Sequence, residues 1–104
     1  MRKNYFLYID DIRNPINDNW IVARNYKEAI NIITKNNCPF FISFDHDLGE
    51  EKTGYDVAKW LIETDLNYPG FIHNNFDFKV HSANPVGKEN IEKLLRNYLR
   101  KRNE

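Results

Sequence analysis

Short apolar blocks alternate with polar segments along this chain, and the spacing within each block predicts its secondary structure. Four blocks are short, rich in aromatic and β-branched residues, and bounded by turn residues, as is typical of strands. They cover residues 4–10, 20–23, about 40–45 and 76–80. Three longer blocks repeat apolar residues at helical spacing, over about 25–36, 53–65 and 88–101. The central strand, at 40–45, has the apolar pattern of a strand buried on both faces.

Capping residues support two of the helix starts. Asn25 is followed three residues later by Glu28, and Thr53 is followed by Asp56 at the same spacing. The element order predicts an α/β fold, a small, mostly parallel four-stranded sheet flanked by three helices. Residues 11–19 predict no helix, although a parallel crossover usually needs about a dozen residues. Either this loop crosses irregularly, which we favour, or the second strand pairs antiparallel.

Composition narrows the class of protein. With 104 residues and 41% hydrophobic content, the chain is expected to form one domain over 1–104. No apolar run is long enough to span a membrane, and the start lacks a signal-peptide pattern. Zero formal net charge argues against dedicated DNA binding, and the lone Cys38 against a disulfide. We therefore expect a cytoplasmic protein with no membrane partner.

Acidic residues follow two of the predicted strands. Asp10 and Asp11 end the first strand, and the sequence Asp45, His46, Asp47 ends the central one. Because ligands bind at the carboxyl ends of the strands in open parallel sheets, these side chains predict an acidic pocket. The alternative for the first pair is that it starts a turn and binds backbone amides.

Four sequence motifs together resemble a known family. They are Tyr-Ile-Asp-Asp-Ile-Arg-Asn-Pro at 8–15, Ser-Phe-Asp-His-Asp-Leu-Gly at 43–49, Thr-Gly-Tyr-Asp at 53–56 and His-Ser-Ala-Asn-Pro-Val-Gly at 81–87. The chain resembles the cyclic-phosphate-processing receiver-like domains, a compact relative of response-regulator receivers. The resemblance implies a truncated receiver (flavodoxin-like) architecture. The fifth strand of a true receiver, with its lysine, has no counterpart here, and neither has the helix after strand one.

The acids and histidines have candidate roles in this pocket. Asp10, Asp11 and Asp45 are predicted to hold Mg²⁺ or Mn²⁺, since carboxylates from separate strand ends suit such cations. His46 and His81 are the candidates for proton transfer. Alternation along a strand points Asp45 and His46 to opposite faces unless the turn has begun, and the same conflict affects His81 and the serine after it. We favour His46 because acids flank it, with Asp47 supporting it.

Phosphate binding is predicted around the start of the last helix. Ser82, Asn84, Gly87 and Lys88 lead into a helix N-terminus, which favours anions, and Arg13 can clamp a phosphate bidentately. A structural alternative remains for each group. Asn84 can cap the helix with the following proline in its first turn, Gly87 can relieve strain, and Arg13 can neutralise the acids.

The predicted function is a metal-dependent phosphoesterase acting on a cyclic phosphate, either a cyclic nucleotide or a 2′,3′-cyclic phosphate end. Its partner would be a small phosphorylated ligand. Two alternatives stay open: a degenerate receiver that accepts phosphate on Asp45, and a nucleotide-sequestering module without turnover. The aromatic residues Trp20, Trp60 and Tyr55 are expected in the core rather than in a base-stacking platform.

Overall fold

The computed structural model describes residues 5–103 and contains all seven predicted elements. In chain order they are β1 (Phe6–Ile9), β2 (Trp20–Ala23), α1 (Tyr26–Asn36), β3 (Phe41–Phe44), α2 (Gly54–Asn67), β4 (Asp77–Val80) and α3 (Pro85–Arg102). Residue 4, the predicted start of the first strand, lies outside the described residues. Within residues 5–103, no helix has both the length and the hydrophobicity needed to cross a membrane.

The helix starts follow their caps. The Asn25 side chain accepts the backbone N–H of Glu28, and Thr53 forms a capping box with Asp56. Helix α3 begins three residues before the predicted position 88 because Asn84 is its N-cap, which places a proline at the first helical position. The capping pattern therefore defines the helix starts better than apolar spacing does.

The four strands form one parallel sheet in the order β2-β1-β3-β4. The irregular crossover favoured from the sequence is confirmed, since β2 pairs parallel to β1. Arg24 stabilises this loop. Its guanidinium donates to the main-chain oxygens of Asp10, at 3.1 Å, and Arg13, at 2.7 Å, and to the side-chain oxygen of Asn14. Hydrogen bonds from one arginine thus secure a loop that has no helix of its own.

The helices lie on one face of the sheet. The β2-to-β3 and β3-to-β4 connections cross the sheet in the same direction, so the right-handed crossover rule places α1 and α2 on the same side. Helix α3 packs along α2 and buries Ile91 and Leu95 in the same core. The strands supply that core with their alternate residues, among them Leu7, Ile9, Ile42, Phe44, Phe78 and Val80.

The opposite side, which we call the open face, carries Phe6, Tyr8, Trp20 and Phe41. Trp20 lies within 5.4–6.0 Å, between ring centroids, of the other three rings. The β1-to-β2 connection crosses in the opposite direction, so it belongs to this side, and it is a loop rather than a helix. The expectation that Trp20 lies in the core is therefore wrong, because Trp20 is only partly buried here. Strand β3 is buried on both faces from Ile42 to Phe44, as predicted, and only its first residue, Phe41, is partly exposed.

Candidate functional site

Strand register brings three polar residues together at the carboxyl edge of the sheet. Ile9, Phe44 and Val80 are aligned across β1, β3 and β4. The residue after each is Asp10, Asp45 and His81. One ligand atom from each of these three lies within 4.8 Å of the others. We call this group the acid–histidine cluster.

Asp10 is the most enclosed member, with 1% of its surface exposed. One oxygen accepts the backbone N–H groups of Ile12 and Arg13 at 2.9 and 2.8 Å. The other accepts from Arg13 Nε and His81 Nε2, both at 3.0 Å. Burial by itself raises the pKa of Asp10, but these hydrogen bonds and the guanidinium charge together lower it below the ordinary value. Asp10 is therefore a stably ionised carboxylate.

The surroundings of Asp45 stabilise its negative charge less than those of Asp10 do. Asp45 is 7% exposed, and the cation paired with it, Arg13 Nη2, is 3.6 Å away. Burial and the charge of Asp10 raise the pKa of Asp45, although the Ser82 side chain, the His46 backbone and Arg13 act in the opposite direction. Two buried acids thus share a single, half-exposed guanidinium. This excess of negative charge would be relieved by a bound cation.

His81 is held between a hydroxyl and a carboxylate. Its Nδ1 lies 2.7 Å from Ser43 Oγ, its Nε2 lies 3.0 Å from Asp10, and its ring stacks on Tyr8 with centroids 4.5 Å apart. Burial lowers the pKa of His81 although Asp10 acts to raise it, so the imidazole is neutral at pH 7. The tautomer that fits has the Ser43 hydroxyl donating to Nδ1 and Nε2–H donating to Asp10.

This Ser–His–Asp chain has the order found in hydrolases, but burial excludes Ser43 as a nucleophile. Ser43 has 0% of its surface exposed and its hydroxyl is hydrogen-bonded to His81, so its oxygen is not presented to a substrate in this structure. Its hydroxyl instead fixes the orientation and the tautomer of His81.

His46 lies on the other side of the strand end. Because successive residues point to opposite faces, His46 faces the helices whereas Asp45 faces the open side. The His46 ring packs against Gly87 of α3, where a Cβ would collide with it, and its Nδ1 lies 3.0 Å from Asp47 Oδ1. The structure thus places His81 in the cluster and His46 beside it. Counting one residue beyond the last core-facing residue of each strand would have distinguished the two histidines, because His81 stands at that position in its strand and His46 stands one residue further on.

A cleft of about 460 Å³ lies at the cluster, and we call it the acid cleft. Besides Asp10 and Asp45 it is lined by Asp11, Arg13, Asp47 and Ser82, among others. Asp11 borders the cleft without joining the cluster defined above, and a Cβ on Gly49 would lie 3.0 Å from its carboxylate oxygen.

The start of α3 is capped within the chain. Ser82 Oγ accepts the N–H of Asn84 at 3.0 Å, and the Asn84 side chain accepts the N–H of Gly87 at 3.0 Å. The Asn84 main-chain oxygen accepts the N–H of Lys88 at 2.9 Å, and Pro85 has no N–H. The capping roles considered from the sequence therefore occur. The groups here that would contact a bound phosphate are the Ser82 hydroxyl, at the acid cleft, and the exposed Lys88 side chain, on the first turn of α3.

Comparison with protein families identifies the group to which these features belong. A family model described as the cyclic-phosphate processing receiver domain matches residues 5–97. The chain belongs to this family. The match includes every member of the acid–histidine cluster. Comparisons with curated proteins and with solved structures found no match.

The donor set of this receiver domain could hold a metal ion. Two carboxylates suit Mg²⁺ or Mn²⁺, whereas an imidazole ligand favours transition metals over Mg²⁺. Of the two predicted cations, Mn²⁺ therefore fits the cluster of Asp10, Asp45 and His81 better if all three bind. Both Asp10 oxygens already accept hydrogen bonds, so a cation would replace the Arg13 or His81 donor at this carboxylate.

Proposed function

We propose that this receiver domain is a metal-dependent phosphoesterase acting on a cyclic phosphate, a cyclic nucleotide or a 2′,3′-cyclic phosphate end. The acid–histidine cluster carries the proposal, since its ligand atoms lie within 4.8 Å of one another beside the acid cleft. The excess negative charge on Asp10 and Asp45 favours cation binding. Membership in a cyclic-phosphate processing family supports the substrate class.

Asp10, Asp45 and His81 would hold the cation. His81 would then take its other tautomer, with Nδ1–H donating to Ser43 Oγ and Nε2 free of its proton to bind the metal. A bound divalent ion supplies Lewis-acid stabilisation of phosphoryl charge and activates water. Arg13 is half exposed and contacts both carboxylates, so a cation that neutralises them would free its guanidinium to bind phosphoryl oxygens.

The leaving alkoxide needs a proton, and we assign its donor to His46. Asp47 accepts from His46 Nδ1 and lines the acid cleft, so His46 is joined to the cleft through this carboxylate. The Asn84 side chain donates to the second Asp47 oxygen at 3.3 Å, which holds the carboxylate in place. General acid catalysis of this kind typically contributes about 10²–10⁴-fold.

The direct test is hydrolysis of a 2′,3′-cyclic nucleotide with Mn²⁺ or Mg²⁺. Asp45→Asn should lower turnover by roughly 10²–10³-fold and remove the stabilisation of the wild type by Mn²⁺. The matched control is Asp77→Asn, since Asp77 is an exposed acid at the opposite end of the sheet. This variant should leave the turnover and the stabilisation by Mn²⁺ unchanged. Equal activity of the two variants would contradict the metal assignment.

The two histidines are separated by a second pair of variants. His46→Ala should lower turnover by roughly 10²-fold with ligand affinity nearly unchanged, because a proton donor acts in the transition state. His81→Ala should weaken Mn²⁺ binding as well. Loss of turnover with normal metal binding in His81→Ala would transfer the proton donor role to His81.

Two outcomes would replace the proposal with an alternative function. Tight binding of the cyclic nucleotide without product, with either metal, would indicate a sequestering module. A stable phosphoaspartate after incubation with acetyl phosphate, absent in Asp45→Asn, would indicate a signalling receiver.

A further inference from the structure

A second cleft, of about 260 Å³, lies on the open face beneath the β1–β2 loop. We call it the aromatic cleft. Tyr8, Trp20 and His81 line its sheet side, and Asn14 and Asn17 of the loop line the other, with Lys79 at its border. Neither the receiver family description nor the acid–histidine cluster accounts for this concave aromatic surface.

The two clefts lie at neighbouring positions along the same face of the sheet. Tyr8, Ser43 and Lys79 are aligned across β1, β3 and β4, and two residues further along these strands come Asp10, Asp45 and His81 on the same face. Two residues of a strand span about 6.6 Å, a gap that one ribose ring can bridge. His81 links the two clefts, since its ring lines the aromatic cleft and its Nε2 lies 3.0 Å from Asp10, which lines the acid cleft.

The surface of the aromatic cleft suits a flat, heteroaromatic group. Trp20 stands at 73° to Tyr8, so its indole forms a wall beside the stacked rings of Tyr8 and His81. The side-chain oxygens of Asn14 and Asn17 already accept hydrogen bonds, from Arg24 and from the Asn19 N–H. The two amides therefore offer N–H donors, which match the ring nitrogens and carbonyl oxygens of a nucleobase.

We propose that the aromatic cleft binds the base of a cyclic nucleotide whose phosphate occupies the acid cleft. This inference rests on the proposed function and narrows its substrate class to nucleotides. Continuity with the acid–histidine cluster favours a base over a second copy of this chain, because a flat protein surface would not enter a concave cleft under the loop. Base–aromatic stacking provides the affinity, with the amides selecting among bases.

Binding is tested with the two tryptophans of the chain, one on each side of the sheet. Trp60→Phe leaves Trp20 as the only tryptophan, and Trp20→Phe leaves Trp60 on α2. Adenosine, which has no phosphate, should quench the fluorescence of the Trp60→Phe protein and leave that of the Trp20→Phe protein unchanged. Quenching in both variants or in neither would overturn the inference.

Turnover then distinguishes this inference from the proposed function. Trp20→Ala should lower kcat/KM for 2′,3′-cyclic AMP by roughly 5- to 150-fold, the usual range for loss of one base stack. It should not change turnover of glycerol 1,2-cyclic phosphate, which has no base. If Trp20→Ala does not fold, as judged by thermal unfolding, Asn17→Ala in the exposed loop tests the same selectivity.

The outcomes separate the two ideas. Equal turnover of both substrates, unaffected by Trp20→Ala, would overturn the base subsite while leaving the phosphoesterase intact. Quenching of Trp20 by adenosine without turnover of either substrate would support the base subsite while the phosphoesterase fails. Trp20 emission that changes with protein concentration, together with a dimer in sedimentation, would assign the open face to self-association and overturn the inference.

Discussion

Two regions of this molecule bury aspartate, and they neutralise its charge differently. Asp65 on α2 is 2% exposed. It accepts hydrogen bonds from the Ile72 N–H at 2.8 Å, the Tyr98 hydroxyl at 2.6 Å and Arg102 at 3.2 Å. Burial raises the pKa of Asp65, but these partners together lower it below the ordinary value. Here one buried acid has its own cation and donors for both oxygens.

At the carboxyl edge of the sheet, Asp10 and Asp45 share Arg13 between them. Asp10 receives most of the donors, and the pKa of Asp45 is raised by burial and by the charge of Asp10. An acid that only stabilises a fold is compensated, as Asp65 is. An acid pair that shares one cation beside an open cleft could hold a further positive charge, such as a metal ion.

The largest expected effect is a difference in the free energy of unfolding between a variant of Asp65 and a variant of Asp45. Asp65→Asn should lower the free energy of unfolding by about 3 kcal/mol, because it leaves the charge of Arg102, which is mostly buried, without its partner. Asp45→Asn should leave stability unchanged or raise it, since it removes repulsion from Asp10. Urea unfolding of both variants at neutral pH measures the difference. Equal losses would show that the Asp10–Asp45 pair is as compensated as Asp65.

A steric change should affect the acid edge alone. A Cβ on Gly54 would collide with the main-chain oxygen of Asp45, so Gly54→Ala should cost about 1–3 kcal/mol and displace the end of β3. Gly70 has a positive φ of 91° but nothing near its missing Cβ. Gly70→Ala is therefore a control that should cost about 1 kcal/mol from backbone strain. The measurement is thermal unfolding together with Mn²⁺ binding, which Gly54→Ala should weaken and Gly70→Ala should retain.

A smaller effect is expected when the support of His81 is removed. Ser43→Ala deletes the hydrogen bond to Nδ1, which should cost about 1 kcal/mol of stability. The freed imidazole should also show a changed tautomer balance in nitrogen NMR, whereas a role in packing alone would leave the His81 tautomer as it is. Ser43→Thr, which keeps the hydroxyl, should restore the tautomer.

The smallest effect lies in the pH dependence of stability. Asp65 has a lowered pKa, so its stabilising contribution is present above its unfolded pKa and is lost as pH falls through the folded one. Asp45 has a raised pKa, so its contribution is present below the ordinary value of 3.8 and is lost as pH rises through the folded pKa. Relative to wild type, Asp45→Asn should therefore gain stability as pH rises from about 3 to 7, and Asp65→Asn should lose it. Parallel curves for the two variants would contradict these assignments.

The sequence by itself determined the elements of this protein and the edge of the sheet where polar residues gather. Apolar spacing and the caps at Asn25 and Thr53 are local signals, since a helix start depends on residues within one turn. The acids that follow the first and central strands indicated the carboxyl edge of the sheet, because every strand of a parallel sheet ends at that edge.

Tertiary structure decided which of these residues meet. Strand register placed His81 with Asp10 and Asp45 and turned His46 toward α3, because one residue of offset reverses the direction of a side chain. The crossover direction placed α1 and α2 on one side, where α3 packs along α2, and it left Trp20 on the open face, which an aromatic residue in a strand does not reveal. Both outcomes depend on pairing between distant segments, and local sequence patterns do not encode that pairing.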